Sequence, residues 1–131
     1  MDLERQMLEA VNRERAAKGL PPLVHDDRLA GVARAHAQDM AARSYAGHVT
    51  PEGKTFRDRL AEADLATHWA GENYYIGYLP AKEIVETALA WFMGDIPHRK
   101  NVLHARYRRL GVGVAWRPQG GYVVVLDFAG D

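Results

Sequence analysis

Two histidines and a glutamate are the residues of this chain best suited to chemistry. They lie in three short polar stretches that interrupt an otherwise ordinary apolar pattern: Gly47-His48-Val49-Thr50-Pro51-Glu52-Gly53, Gly71-Glu72-Asn73 and His98-Arg99-Lys100-Asn101-Val102-Leu103. Each stretch falls at the edge of a predicted element. Brought together, two imidazoles and a carboxylate form a His/Glu/His site that holds a divalent metal or moves a proton. Taken singly, each has a plain structural reading: His48 on a surface turn, Glu72 at an exposed strand end, His98 as an N-terminal helix cap. A buried Glu72 needs a partner, because an isolated carboxylate is costly to remove from water.

Other chemistries drop out by elimination. Ser44 is the only serine and there is no cysteine, so nucleophilic catalysis has one candidate, and no sharp turn presents it. The absence of cysteine also removes disulfides and sulfur-ligated zinc. There is no His-Glu-x-x-His helix and no glycine-rich phosphate loop. Gly111-Val112-Gly113 belongs to a strand pattern, so it is no nucleotide fingerprint. His36 falls on the apolar face of a helix and reads as a satisfied core residue, whereas His25, His68 and His104 join no constellation and read as exposed. Tyr74, Tyr75 and Tyr78 either pack or line a cleft beside Glu72.

The elements that must position these residues follow from periodicity. Leu3, Met7, Leu8 and Val11 predict a first helix, closed by Lys18-Gly19 and Pro21-Pro22. Leu29, Val32, Ala33, His36, Ala37 and Met40 form one face of a second helix, capped by Asp26 or Asp27. Phe56, Leu60 and Ala63 suggest a short third. Trp69–Ile76 reads as a strand interrupted at Gly71-Glu72-Asn73. Ile84, Val85, Ala88, Leu89, Trp91 and Phe92 face one side of a fourth helix, and His98 opens an irregular or short helical segment to Leu103. Leu110–Trp116 alternates as a strand, Arg117–Gly121 turns, and Tyr122–Phe128 returns as a buried strand. These predict one α+β domain over residues 1–131, with about four helices around a small, mostly antiparallel sheet.

Length and charge agree with a single domain. The chain has 131 residues, 47% apolar and 26% charged, with 17 basic residues balanced by 17 acidic ones. Neutrality gives no electrostatic reason to expect nucleic acid, and Arg106, Arg108 and Arg109 read as a solvated patch. No stretch approaches a membrane span. The start, Met1-Asp2-Leu3-Glu4-Arg5, is acidic and helical, so no signal peptide is expected in this chain.

Together and in order, the motifs resemble the CAP (SCP-like) family, in particular its small bacterial members. Val11–Arg15 with Gly19–Leu23 is similar to its opening helix and loop, and Leu29–Met40 to its second helix. His48–Gly53 resembles its histidine loop, and Gly71-Glu72-Asn73 its most recognisable tripeptide. Trp91 with His98–Leu103 resembles its tryptophan and histidine segment; Gly111–Val114 and Val125–Phe128 match the closing strands. The resemblance implies a three-layer α-β-α sandwich whose central cleft is lined by His48, Glu72 and His98. Asn73 and Asp95 are expected in the ligand-binding cleft as well.

Many relatives carry a second glutamate three residues after the tryptophan. Here that position is Gly94, with Asp95 next to it as a replacement partner for His98, while Glu86 points away. The departure weakens a proteolytic role and leaves metal binding by His48 and His98, with Glu72 as a third ligand, a histidine orienter or a base on bound water. A divalent metal, Zn²⁺ foremost, is the expected cofactor. The leading expectation is a binding module for a lipid, peptide, cell-wall or other small ligand in the cleft, acting as a monomer or weak dimer. The rival is a metal-dependent or acid/base hydrolase with Glu72 as the catalytic group. A secreted or cell-envelope location follows from the resemblance alone.

Overall fold

The computed structural model describes residues 2–131; Met1, the first residue of the acidic start, lies outside the described residues. In chain order the elements are α1 (Leu3–Ala17), β1 (Val24–His25), α2 (Asp27–Arg43), α3 (Phe56–Glu62), β2 (Trp69–Gly77), α4 (Ala81–Gly94), α5 (Ile96–Val102), β3 (Arg109–Trp116) and β4 (Tyr122–Gly130). Helix starts follow local chemistry. Asp2 accepts from the Arg5 amide and Asp26 from the Leu29 amide, satisfying N–H groups that a first turn leaves free. At α3, Thr55 and Asp58 form a reciprocal capping box.

The sheet order is β1-β3-β4-β2, with β1 parallel to β3 and the other pairs antiparallel. Helices cover both faces, giving an α-β-α sandwich. Strand β4 is central, so both of its faces are buried. Val124, Leu126 and Phe128 join the core under α1 and α4, which contains Met7, Val11, Ile84, Ala88 and Phe92. Val123 and Val125 join the core under α2, with Ala33, Ala37 and Met40. That double burial is why Tyr122–Phe128 reads as a near-continuous apolar run rather than an alternating one.

Helix α2 lies unusually close to β3. A Cβ at Gly111 would meet the Leu29–Ala30 backbone, and one at Gly113 the Ala33–Arg34 backbone. Only glycine lets the helix settle there.

The sheet and helices depart from the sequence expectation at three places. Strand β1 is two exposed residues paired with Arg109 and Leu110, too short to leave a pattern. Strand β2 runs without a break through Gly71-Glu72-Asn73, each residue in register with β4. Poor strand formers are held there by tertiary contacts: Asn101 and the Tyr107 hydroxyl occupy the space a Cβ at Gly71 would need. The segment expected as irregular or short helical from His98 is helical and starts two residues earlier, at Ile96, as a fifth helix, α5, with proline in its first turn.

The end of α5 is fixed by Arg15, a buried side chain with no sequence signal. It donates to the carbonyls of Pro21, Val102, His104 and Tyr107, tying α1 to the chain that follows α5. Burial, and Arg108 nearby, lower its pKa.

Candidate functional site

His48 stands on the loop between α2 and α3, and several bonds hold that loop. Ser44 closes α2 in the left-handed region at φ 56°. The Thr50 amide donates to the Lys54 carbonyl at 2.9 Å, making a tight turn with Gly53. His36, buried in α2, donates its Nε2–H to the Gly47 carbonyl at 2.8 Å, one residue before His48. It is a core residue as expected, but its bond positions the site loop. Burial lowers its pKa and keeps the ring neutral, and its Nδ1 has no partner.

The His48 ring sits edge-on to Tyr74 at 5.0 Å and donates from Nδ1 to Glu72 at 2.9 Å. The Glu72 side chain is 1% exposed, so it lies beneath the cleft wall rather than on it. Its two oxygens accept from both terminal nitrogens of Arg59, at 2.9 and 2.8 Å, a paired geometry that planar guanidinium favours. Arg59 also donates to the His48 carbonyl at 2.8 Å. One arginine therefore fixes both the loop and the carboxylate.

Behind Glu72 lies Asp127, its register partner on β4 and completely buried. As a carboxylate, Asp127 would have no donor for either oxygen. Burial, and the Glu72 charge beside it, push its pKa well above the usual range, which favours the protonated form, the form able to donate to Glu72. Burial alone would raise Glu72. Hydrogen bonds from His48, Asp127 and Arg59, with the Arg59 charge, outweigh it and hold the carboxyl at about 2. Glu72 is an anion in a saturated cage.

His98 comes from the opposite layer, in the first turn of α5. Its Nδ1 is bonded to Asp95, and its ring lies over Phe92 at 5.7 Å and edge-on to Trp91 at 4.7 Å. Asn73 is fully buried and does not face the cleft. Its amide donates to the His98 carbonyl at 3.0 Å and its oxygen accepts from Asn101 at 2.8 Å; Asn101 in turn accepts from the Tyr107 hydroxyl. Asn73 thus anchors α5 to β2. Gly94 is open to solvent, and Glu86 pairs with Arg13 on an exposed surface.

A cleft of about 410 Å³ joins the two histidines, lined by Ala46, His48, Tyr74, Tyr75, Ile76, Trp91 and His98. Trp91 is 47% exposed here rather than packed with the α4 core. The cleft straddles β2, the edge strand, with His48 and Tyr74 on the α2 side and His98, Trp91 and Tyr75 on the α4 side. Each imidazole has its Nδ1 engaged by a carboxylate. Neither Nε2 has a hydrogen-bond partner among the described residues, so each is left as an acceptor. Two such nitrogens can accept protons, bind a ligand donor or coordinate a metal. Among the described residues no group of three or more His, Cys, Asp or Glu is placed to hold a metal ion. A larger hollow of about 660 Å³ lies between α2 and α3. Arg43 there is paired with Asp39 and Glu52, and Lys54 with Glu62, while Arg28 donates to the Ala63 carbonyl.

Two residues of this arrangement carried little sequence signal. Arg59 looks like any polar residue of a short helix. Asp127 offered one clue, a lone acid inside the apolar run Val123–Phe128.

Comparison with known proteins agrees with the fold. The family model of the cysteine-rich secretory protein family, CAP, matches residues 8–128. The protein YkwD of Bacillus subtilis (strain 168) is 36% identical over 127 residues, covering 97% of this chain and 47% of that protein. The chain therefore spans less than half the length of that relative. An extracellular protein containing a SCP domain from Bacillus anthracis str. Ames superposes with a TM-score of 0.81 at 28% identity, covering 98% of this chain and 40% of that one. An outer surface protein of Borrelia burgdorferi superposes at 0.82 with 16% identity, covering 97% of this chain and 92% of that one. The latter likeness is one of fold. No helix among the described residues is long and apolar enough to cross a membrane.

Proposed function

The chain belongs to the CAP family, and from that premise we propose that its cleft is a binding site in which His48 and His98 together hold a divalent metal, Zn²⁺ foremost, and a ligand. The observation that carries this reading is the shared arrangement of the two imidazoles. Each gives its Nδ1–H to a carboxylate, Glu72 or Asp95, which fixes the tautomer and leaves Nε2 free as a ligand atom. Glu72 orients His48 rather than ligating, because its oxygens are taken by His48 and Arg59. The donor set fits an ion held by two imidazoles and completed by water or ligand oxygens. Two protein ligands make a weaker site than the three or four of catalytic and structural zinc centres. When bound, the ion would supply Lewis acidity to a ligand oxygen. Tyr74, Tyr75, Ile76 and Trp91 supply apolar and aromatic walls for a peptide, lipid or cell-wall ligand. An extracellular or surface location, as for the similar proteins, is part of the proposal.

Titration of the metal-free protein with Zn²⁺ by calorimetry tests it. Binding lost on combining His48→Ala with His98→Ala, in a variant that still folds, is the expected result. Equal binding by the variant, or none by the wild type, overturns the metal reading. The hydrolase alternative finds support in one feature, the His48–Glu72 pair, which favours His48 as the base with Glu72 behind it. On that reading His48→Ala lowers turnover of a substrate by ~100-fold or more, and unchanged turnover rejects it.

A further inference from the structure

The free edge of β2 runs through the cleft, and its backbone polarity can be fixed from the hydrogen bonds around it. The Arg117 amide donates to the Gly121 carbonyl at 2.9 Å, so Gly121 faces β3. Backbone groups alternate sides along a strand, so Val123, Val125, Asp127 and Ala129 also face β3, and Tyr122, Val124, Leu126 and Phe128 face β2. The Arg108 amide donating to the Ala129 carbonyl, and Thr67 to the Gly130 carbonyl, agree with this phase. The β2 partners of those inward residues are Gly77, Tyr75, Asn73 and Gly71. The N–H and C=O groups of Glu72, Tyr74 and Ile76 therefore point away from the sheet, to the free edge.

The two halves of that edge differ. At one end Asn101 donates to the Glu72 carbonyl at 3.4 Å and shields it from α5. At the other, no backbone or side-chain group among the described residues bonds the N–H or C=O of Tyr74 or Ile76. Both residues line the cleft. Edge strands are normally blunted with lysine, proline, a bulge or a cover. Asn73–Gly77 has none of these, and its register with β4 is unbroken.

We propose that the cleft takes an extended peptide, which adds to β2 as a further strand through the N–H and C=O groups of Tyr74 and Ile76. The proposal rests on the cleft-binding reading above and names its ligand class. Only a backbone offers donors and acceptors together at the two-residue repeat that Tyr74 and Ile76 present; a lipid chain offers neither. Successive side chains of such a strand alternate between the layers. One set meets His48 and Tyr74, and the other Trp91, Tyr75 and His98. A site between two layers would then read alternate residues of one segment.

The test uses a set of acetylated, amidated hexapeptides that alternate Thr with Val, Tyr or Lys, followed by amide NMR of the labelled protein. Each peptide is matched by a version N-methylated on alternate residues, so that it cannot donate to the edge. At least one peptide should slow exchange of the Tyr74 and Ile76 amides, and methylation should weaken it at least tenfold. Ile76→Pro removes an outward N–H that no ladder bond uses, and should weaken peptide binding at least tenfold. Equal binding of methylated peptides, or no peptide effect beside intact Zn²⁺ binding, overturns the strand addition and spares the metal reading. Loss of Zn²⁺ binding in the wild type is failure of the underlying reading instead. Concentration-dependent protection of the two amides without peptide means that a second copy of the chain occupies the edge, which also overturns the proposal.

Discussion

Glu72 is held ionised by three neighbours, so its own titration is a stability term. Its folded carboxyl lies at about 2, below the ordinary 4.5. The contribution is thus complete above pH 4.5 and lost as pH falls toward 2, up to about 3 kcal/mol at 1.36 kcal/mol per unit. Urea denaturation of wild type and Glu72→Gln across pH 2–6 checks the sign: only the wild type should weaken through this window because of this group. Asp127 has the opposite sign. Its raised pKa adds stability at acid pH that is lost as pH rises above the ordinary 3.8. Asp127→Asn should therefore gain on the wild type as pH climbs, by at most about 1.4 kcal/mol per pH unit. A difference that stays flat with pH would mean Asp127 is not the protonated partner. Replacing Arg59 by methionine leaves the Glu72 anion buried without its main countercharge. A loss of about 3–5 kcal/mol is expected in denaturant unfolding, and a neutral result would contradict the cage. His48, Glu72 and His98 were legible because polar residues interrupting apolar runs are conspicuous. Arg59 and Asp127 were not, because their importance comes from what they face across the fold.

Among the elements, the helices were legible and the sheet less so. Helical periodicity needs only local sequence, so the faces Leu29–Met40 and Ile84–Phe92 were read with no knowledge of their partners. Strand β2 was misread at Gly71-Glu72-Asn73 because three weak strand formers are kept extended by β4, Asn101 and Tyr107, none of them local. The outward phase of β2 predicts a simple pattern in the free protein. Amides of Asn73 and Tyr75 should exchange slowly, and those of Tyr74 and Ile76 much faster. Uniform protection along the strand would contradict the phase. The contact of α2 with β3 makes a second prediction: Gly113→Val must push Arg34 and Ala33 away. A loss of at least ~1–3 kcal/mol is expected for such overpacking, and a thermal melt reads it directly.

At the scale of the molecule, the sandwich brings two chain segments to one sheet edge. His48 arrives on a loop from the α2 layer and His98 on α5 from the α4 layer, fifty residues apart in sequence. The order of motifs along the chain carried the family and the three layers. It did not carry the cleft's position on the edge strand, which depends on the strand order β1-β3-β4-β2. The central claim is that two imidazoles, each with Nδ1 held by a carboxylate, present Nε2 to one cleft. Long-range proton–nitrogen NMR of the histidine rings tests it most directly, first without metal and then with Zn²⁺. The account predicts the Nδ1–H tautomer for His48 and His98 in the neutral state, and Zn²⁺ shifts at both Nε2 atoms in one shared transition while the other histidines stay still. An Nε2–H tautomer at either residue, or two rings that respond independently, would contradict it.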